Sequence, residues 1–214
     1  MRSAALMISL GLFLSGCPKN EEASTKPQPT PQAATEAAAP DRAKAPDEYT
    51  VELQTTRGPI VIDVRREWAP KGADRFYELV KEGYYSDVAF FRVVPGFVVQ
   101  FGMSGDPQTN AEWSNRPIGD DPVKASNARG TVTFATSGKN SRTTQIFINL
   151  GNNARLDAMG FSPFGKVRDM NTVEGIYSGY REQPNQGMIR ARGNAYLRES
   201  FPKLDYIESA KIIE

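Results

Sequence analysis

From Tyr49 onward the chain is written in short runs that alternate between apolar and polar positions. Val51 and Leu53 alternate with Glu52 and Gln54, and Ile60, Ile62 and Val64 alternate with Val61, Asp63 and Arg65. A period of two marks half-buried strands. The turn signal Arg57-Gly58-Pro59 between them makes the pair a hairpin. The period then changes. Ala73, Phe76, Tyr77 and Val80 follow helical spacing, so a helix is predicted over 70–82, with Gly83 placed to end it. Further strands are predicted near 88–94, 97–101, 131–136, 145–150, 163–168 and 205–213. Gly193 to Leu197 reads as a cap and a short helix. Many short strands with Gly/Pro turns and few helices imply a mainly-β barrel or sandwich.

One run departs from simple alternation. Val88 to Gln100 carries a single charge, Arg92, among apolar residues. A guanidinium is rarely buried without a partner. Arg92 must therefore reach water, pair with a carboxylate such as Asp63 or Asp157, or point into a cleft. Two neighbouring patterns favour a cleft. On the strand at 145–150, Gln145 and Phe147 share one face, and Ile146, Ile148 and Leu150 share the other. Val98 and Gln100 likewise share a face, with Phe97 beside them after the Pro95-Gly96 turn. One set of faces reads as core; the other offers amides and aromatic rings to an outer groove.

Composition narrows the chemistry. There is no histidine, which removes Ser-His-Asp and Cys-His triads and every His-ligated metal site. There is one cysteine, Cys17, so no intrachain disulfide forms. Net charge is +1 with no long basic block, which gives no case for a nucleic-acid partner. Asp120-Asp121 before Pro122 reads as a solvated turn rather than a cation site. The amino terminus is an address: Arg2, then an apolar run from Ala4 to Leu14 too short to span a bilayer as a helix. It ends in Leu14-Ser15-Gly16-Cys17, which resembles a bacterial lipobox. That resemblance implies a signal peptide over 1–16 and a lipidated, membrane-anchored Cys17. Pro18 to Asp47 is Pro/Ala-rich and cannot bury a core, so 17–47 is expected to be a disordered tether and 48–214 the folded domain. Pro18 after the cysteine leans toward the periplasmic face of the outer membrane.

Four segments resemble the cyclophilins, which are peptidyl-prolyl cis–trans isomerases. They are F-x-R-V-V-P-G-F-V-V-Q at 90–100, Gly130-Thr131-Val132-Thr133-Phe134-Ala135-Thr136, Thr144-Gln145-Ile146-Phe147-Ile148, and Leu156-Asp157 followed by Phe164-Gly165-Lys166-Val167. Their order and spacing over 50–214 agree, which makes the match specific. The resemblance implies a closed eight-stranded antiparallel barrel capped by helices. It makes Arg92 the catalytic residue, donating to the prolyl nitrogen. It makes Phe97, Val98, Gln100, Ala135, Thr136, Gln145, Phe147, Leu156 and Phe161 the substrate-binding residues, with Gln100 and Gln145 holding Arg92. No cofactor or metal is needed, the partners are proline-containing polypeptides, and a monomer is expected.

Three positions depart from the family pattern. Arg155 stands where a Trp is usual before Leu-Asp. Phe161 stands for a pocket His, with an extra residue in that loop. Thr136 stands for an Asn. In the family the Trp donates a hydrogen bond to the cyclic peptide inhibitor cyclosporin, so weak cyclosporin inhibition is expected here. The segment 181–203 is longer than the pattern needs and carries no assignable chemistry. The reading is an extracytoplasmic folding catalyst. The alternative is a proline-peptide-binding or chaperone module on the same fold with little turnover.

Overall fold

The computed structural model describes residues 44–213 of the chain. The expected signal segment, Cys17 and the tether as far as residue 43 lie outside the described residues. Packing begins slightly before the expected boundary at 48: Ala45 is buried and its N–H donates to Asp74 Oδ1 at 3.0 Å.

Strands β1 (Glu48–Thr55) and β2 (Gly58–Arg65) form the expected hairpin, with Val51 opposite Ile62 and Leu53 opposite Ile60. Gly58 sits at φ 109, a backbone angle that favours glycine. Helix α1 (Pro70–Lys81) follows; it packs Ala73, Phe76, Leu79 and Val80 into the core and leaves Tyr77 at the margin, its ring 5.2 Å from that of Tyr49. The remaining strands are β3 (Val88–Ala89), β4 (Arg92–Val94), β5 (Val98–Phe101), β6 (Thr131–Phe134), β7 (Ile146–Asn149), β8 (Pro163–Val167) and β9 (Tyr206–Ile212). Helices α2 (Pro107–Ser114) and α4 (Gln186–Ser200) pack on each other, α3 (Asn171–Glu174) packs on β2, and a 3-10 helix spans Ala154–Met159. Gly193 has non-helical angles inside α4, which divides it into two runs. The expected cap and short helix at 193–197 is the start of the second run.

Among the described residues all strand pairings are antiparallel, in the order β3-β9-β1-β2-β8-β6-β7-β5-β4. The sheet is therefore not the closed eight-stranded barrel that the resemblance implies. Within the described residues it has nine strands, and its hydrogen-bond ladder has two ends, β3 and β4. The reason lies in the run expected as one strand over 88–94. Phe90 turns into the main core while Phe91 joins a second cluster with Ile189, Leu197 and Leu204 beneath α4. Its first half, Val88 and Ala89, pairs with β9 and its second half, Arg92 to Val94, pairs with β5, so the strand changes partners at Phe90-Phe91. The sheet curls until its two edges are joined by those two residues.

Asp121 corrects a second expectation. It is buried, not solvated. Its carboxylate accepts from the N–H groups of Lys71 and Gly72 at 3.0 and 2.9 Å and pairs with Arg142 Nη2 at 2.9 Å. Unsatisfied N–H groups in the first turn of a helix take an acidic partner well, so Asp121 caps α1 from a distant loop.

Candidate active site

The two faces of β7 separate two environments. Ile146 and Ile148 are fully buried in the main core with Val99 and Phe101 of β5. Phe147 faces the other way and forms a small apolar cluster with Val98 and Leu156, against which Phe97, Ala135 and Phe161 pack. This cluster floors a cavity of about 170 Å³ lined by Arg92, Phe97, Val98, Gln100, Ala135, Thr136, Phe147, Leu156 and Phe161. Such a space suits one small ring and excludes folded structure. The Phe147 and Phe161 rings meet edge to face at 5.7 Å.

Arg92 lies on β4 directly opposite Gln100 of β5. Its Nη1–H donates to Gln100 Oε1 at 3.1 Å, and Gln100 Nε2–H donates to Gln145 Oε1 at 2.8 Å. The two glutamines form a relay: Gln100 holds the guanidinium, and Gln145 holds Gln100. Gln145 lies outside the cavity that contains Phe147 and lines a neighbouring polar cleft instead, with Gln100, Thr136 and Arg190. Arg92 pairs with neither Asp63 nor Asp157; those carboxylates hold Arg168, and Ser126 with Asn127. Its ion-pair partner is Glu182, whose Oε1 accepts from Nε at 2.7 Å and from Nη2 at 2.5 Å. The guanidinium carbon also sits 5.6 Å from the centre of the Phe97 ring.

Thr136 lies just past the end of β6, not within a strand, and its hydroxyl is 2.8 Å from that of Ser141. Arg155 stands at the rim with its guanidinium carbon 4.9 Å from the Phe97 ring centre. It therefore occupies the outer side of this cavity, although it does not line the floor.

The floor is held by residues that the strand pattern does not single out. Asp157 accepts from Ser126 Oγ at 2.6 Å, from Asn127 N at 2.9 Å and from Asn127 Nδ2 at 2.8 Å. Partial burial pushes its carboxyl up, but these hydrogen bonds outweigh that and hold it below the usual carboxylate range. Asn127 Nδ2 also donates to the Phe161 carbonyl at 2.9 Å, and Asn153 Nδ2 donates to the Phe97 carbonyl at 2.9 Å. Asn149, buried, donates to Thr131 Oγ1 at 2.9 Å and accepts from Asn153 at 2.7 Å. Leu156, Phe161 and Phe97 thus stand on a satisfied amide network. Each of these Asn residues lies next to one of the four family-like segments, but a buried Asn and a loop Asn look alike in sequence.

The chemistry is that of a fixed cation beside a largely apolar cavity. The lining residues supply donors but no carboxylate or thiol, and the Thr136 hydroxyl meets Ser141 Oγ rather than a base. That set suits a reaction without proton transfer, in which a polar bond is held and polarised.

Comparison with known proteins identifies the family. The family model for cyclophilin type peptidyl-prolyl cis-trans isomerases matches residues 50–191. The peptidyl-prolyl cis-trans isomerase ppi1 of Schizosaccharomyces pombe is 38% identical over 123 residues, covering 55% of this chain and 77% of that protein. Peptidyl-prolyl cis-trans isomerase A of Dickeya dadantii is 39% identical over 122 residues, covering 54% of this chain and 63% of that protein. A crystal structure of a Cryptosporidium parvum cyclophilin superposes with a TM-score of 0.57 at 21% identity, covering 78% of this chain and 98% of that one. The residues that the family model matches include Arg92, both glutamines and the apolar floor, and the chain belongs to the cyclophilin-type peptidyl-prolyl cis-trans isomerase family.

Proposed function

We propose that X-Pro peptide bonds are rotated in the cavity between Arg92 and Phe147, and that the clients are secreted or envelope proteins met outside a bacterial cytoplasmic membrane. The observation that carries the catalytic part is the placement of a relay-held guanidinium at the edge of an apolar cavity the size of one ring. The peptide C–N bond resists rotation by about 18–20 kcal/mol because of resonance. Unaided X-Pro isomerisation therefore takes tens of seconds or more. With the prolyl ring on Phe97, Phe147 and Leu156, an N–H of Arg92 donates to the prolyl nitrogen. Its lone pair is then withdrawn from resonance, and the bond loses double-bond character. An acceleration of 10⁵-fold requires about 7 kcal/mol. One charge-assisted hydrogen bond in a sheltered site supplies about half of that, and a twisted pose of the substrate on the aromatic floor supplies the rest.

Support for the location comes from the sequence alone: the lipobox-like Leu14-Ser15-Gly16-Cys17 and the Pro/Ala-rich run after it. Two tests separate the parts of the proposal. A protease-coupled assay on an X-Pro peptide is expected to show catalysis by the purified chain; binding of the peptide without acceleration would favour the chaperone alternative. In a bacterial host, Cys17→Ser is expected to abolish lipid attachment and leave an uncleaved precursor. Normal cleavage to a soluble product would indicate an ordinary secretory signal.

A further inference from the structure

The loop between α3 and α4 reaches back to the cavity. Val93, the neighbour of Arg92 on the edge strand β4, donates its N–H to the Arg181 carbonyl at 3.1 Å. Arg181 itself sits at φ 49, a left-handed angle that costs a residue with a Cβ. Nothing in its side chain accounts for that angle, but the turn it makes brings Glu182 onto the guanidinium. The turn is braced on both sides. Gln183 N–H donates to the Tyr180 carbonyl at 2.9 Å, the Tyr180 ring packs 5.1 Å from both Tyr177 and Phe201, and Pro184 is buried.

The hydrogen bonds of Arg92 show what this achieves. A guanidinium has five N–H groups in one plane. Gln100 takes one from Nη1, and Glu182 Oε1 takes one from Nε and one from Nη2. The plane is thereby fixed from two sides, by strand β5 and by the loop. The two N–H groups left over, on Nη1 and Nη2, are the ones available to a bound peptide. Gln100 alone leaves the guanidinium free to swing about that single contact.

We propose that Glu182 is a positioning residue for isomerisation: its carboxylate fixes the orientation in which Arg92 meets the prolyl nitrogen. This rests on the catalytic role proposed for Arg92. The Glu182 side chain is 60% exposed and that of Arg92 26%, so the pair is screened and its effect is modest.

The test is a set of variants measured for kcat and KM on one X-Pro peptide, with thermal midpoints. Glu182→Ala is expected to lower kcat by about five-fold with KM and the midpoint little changed, the scale of a half-exposed ion pair. Glu182→Gln keeps an acceptor oxygen of the same reach and recovers more than half of that loss. In an Arg92→Ala background the Glu182→Ala change has no further effect. Wild-type kinetics for Glu182→Ala would overturn the proposal. So would a gain in activity, because the carboxylate would then be competing with substrate for the guanidinium. An equal loss in both Arg92 backgrounds would place the action of Glu182 elsewhere. The catalytic role of Arg92 fails separately, if Arg92→Ala alone keeps wild-type activity.

Discussion

Strand β7 carries two regions of the molecule on its two sides. Ile146 and Ile148 on one side are sealed within the main core; Phe147 on the other, with Gln145 just before the strand, faces the cleft. The residues alternate along one strand, yet the two rows answer to different demands. The inner row is close-packed on every side, so its cost of change is a void. The outer row faces a cavity open to solvent, so its cost of change is lost shape for a ligand. Stability and catalysis are thus expected to separate here at single-residue spacing, because a pleated strand sends neighbours to opposite faces.

The largest expected effect tests the inner row. Ile148→Ala should lower unfolding free energy by about 3 kcal/mol, since it leaves a void among Val99, Val132 and other core residues that cannot collapse. Activity per folded molecule should stay near wild type. Denaturant unfolding alongside kinetics well below the midpoint checks both. Phe147→Ala should reverse the pattern. It enlarges an existing open cavity, so the stability loss should be smaller, about 1–2 kcal/mol, while kcat/KM falls by roughly ten-fold or more. If the two variants lose stability and activity in the same ratio, the separation of the two rows is wrong.

A third prediction sharpens the boundary between them. Asp157 holds the turn that carries Leu156, and hydrogen bonds hold its carboxyl below the usual range. A depressed carboxyl stabilises the fold above the pKa it has when unfolded, and that contribution is lost as pH falls through the folded value. Asp157→Asn should therefore cost about 1–2 kcal/mol at neutral pH, with the gap to wild type closing as pH falls below about 4. A gap constant with pH would mean that the charge is irrelevant and the shape of the turn suffices. The smallest effect concerns the rim. Arg155 touches the Phe97 ring from the exposed side. Arg155→Trp should tighten cyclosporin by about 1 kcal/mol, one satisfied contact at the cavity edge, and leave peptide isomerisation little changed. Titration of inhibition in both proteins measures it.

The strands that build the cleft are legible in the sequence because period-two alternation reports which side chains share a face. Val98 with Gln100, and Gln145 with Phe147, are assigned to an outer groove on that pattern alone. Other features are not legible, each for a physical reason. The break at Phe90-Phe91 is hidden because the run from Val88 to Val94 is apolar apart from Arg92, and nothing in it says that its two halves pair with different strands. The closed ladder that the cyclophilin resemblance implies is not the one formed among the described residues. Asp121 reads as solvated because its burial depends on Lys71, Gly72 and Arg142, which come from other parts of the chain. Helix α2 does carry a local signal: Asp106 accepts from Gln108 and Thr109, with Pro107 at the first helical position. Glu182 carries none. It is an exposed loop residue whose partner lies 90 positions away.

The whole division between fold and cleft turns on whether Arg92 works on the bound peptide or on the fold. That is decided by kcat/KM and the thermal midpoint of Arg92→Ala against wild type on one X-Pro substrate. The expected result is a fall in kcat/KM of at least about 100-fold, roughly 3 kcal/mol of transition-state stabilisation, with the midpoint hardly moved. A protein that keeps its activity while its midpoint drops sharply would show instead that Arg92 is a structural partner of Glu182 and Gln100, with no part in the isomerisation.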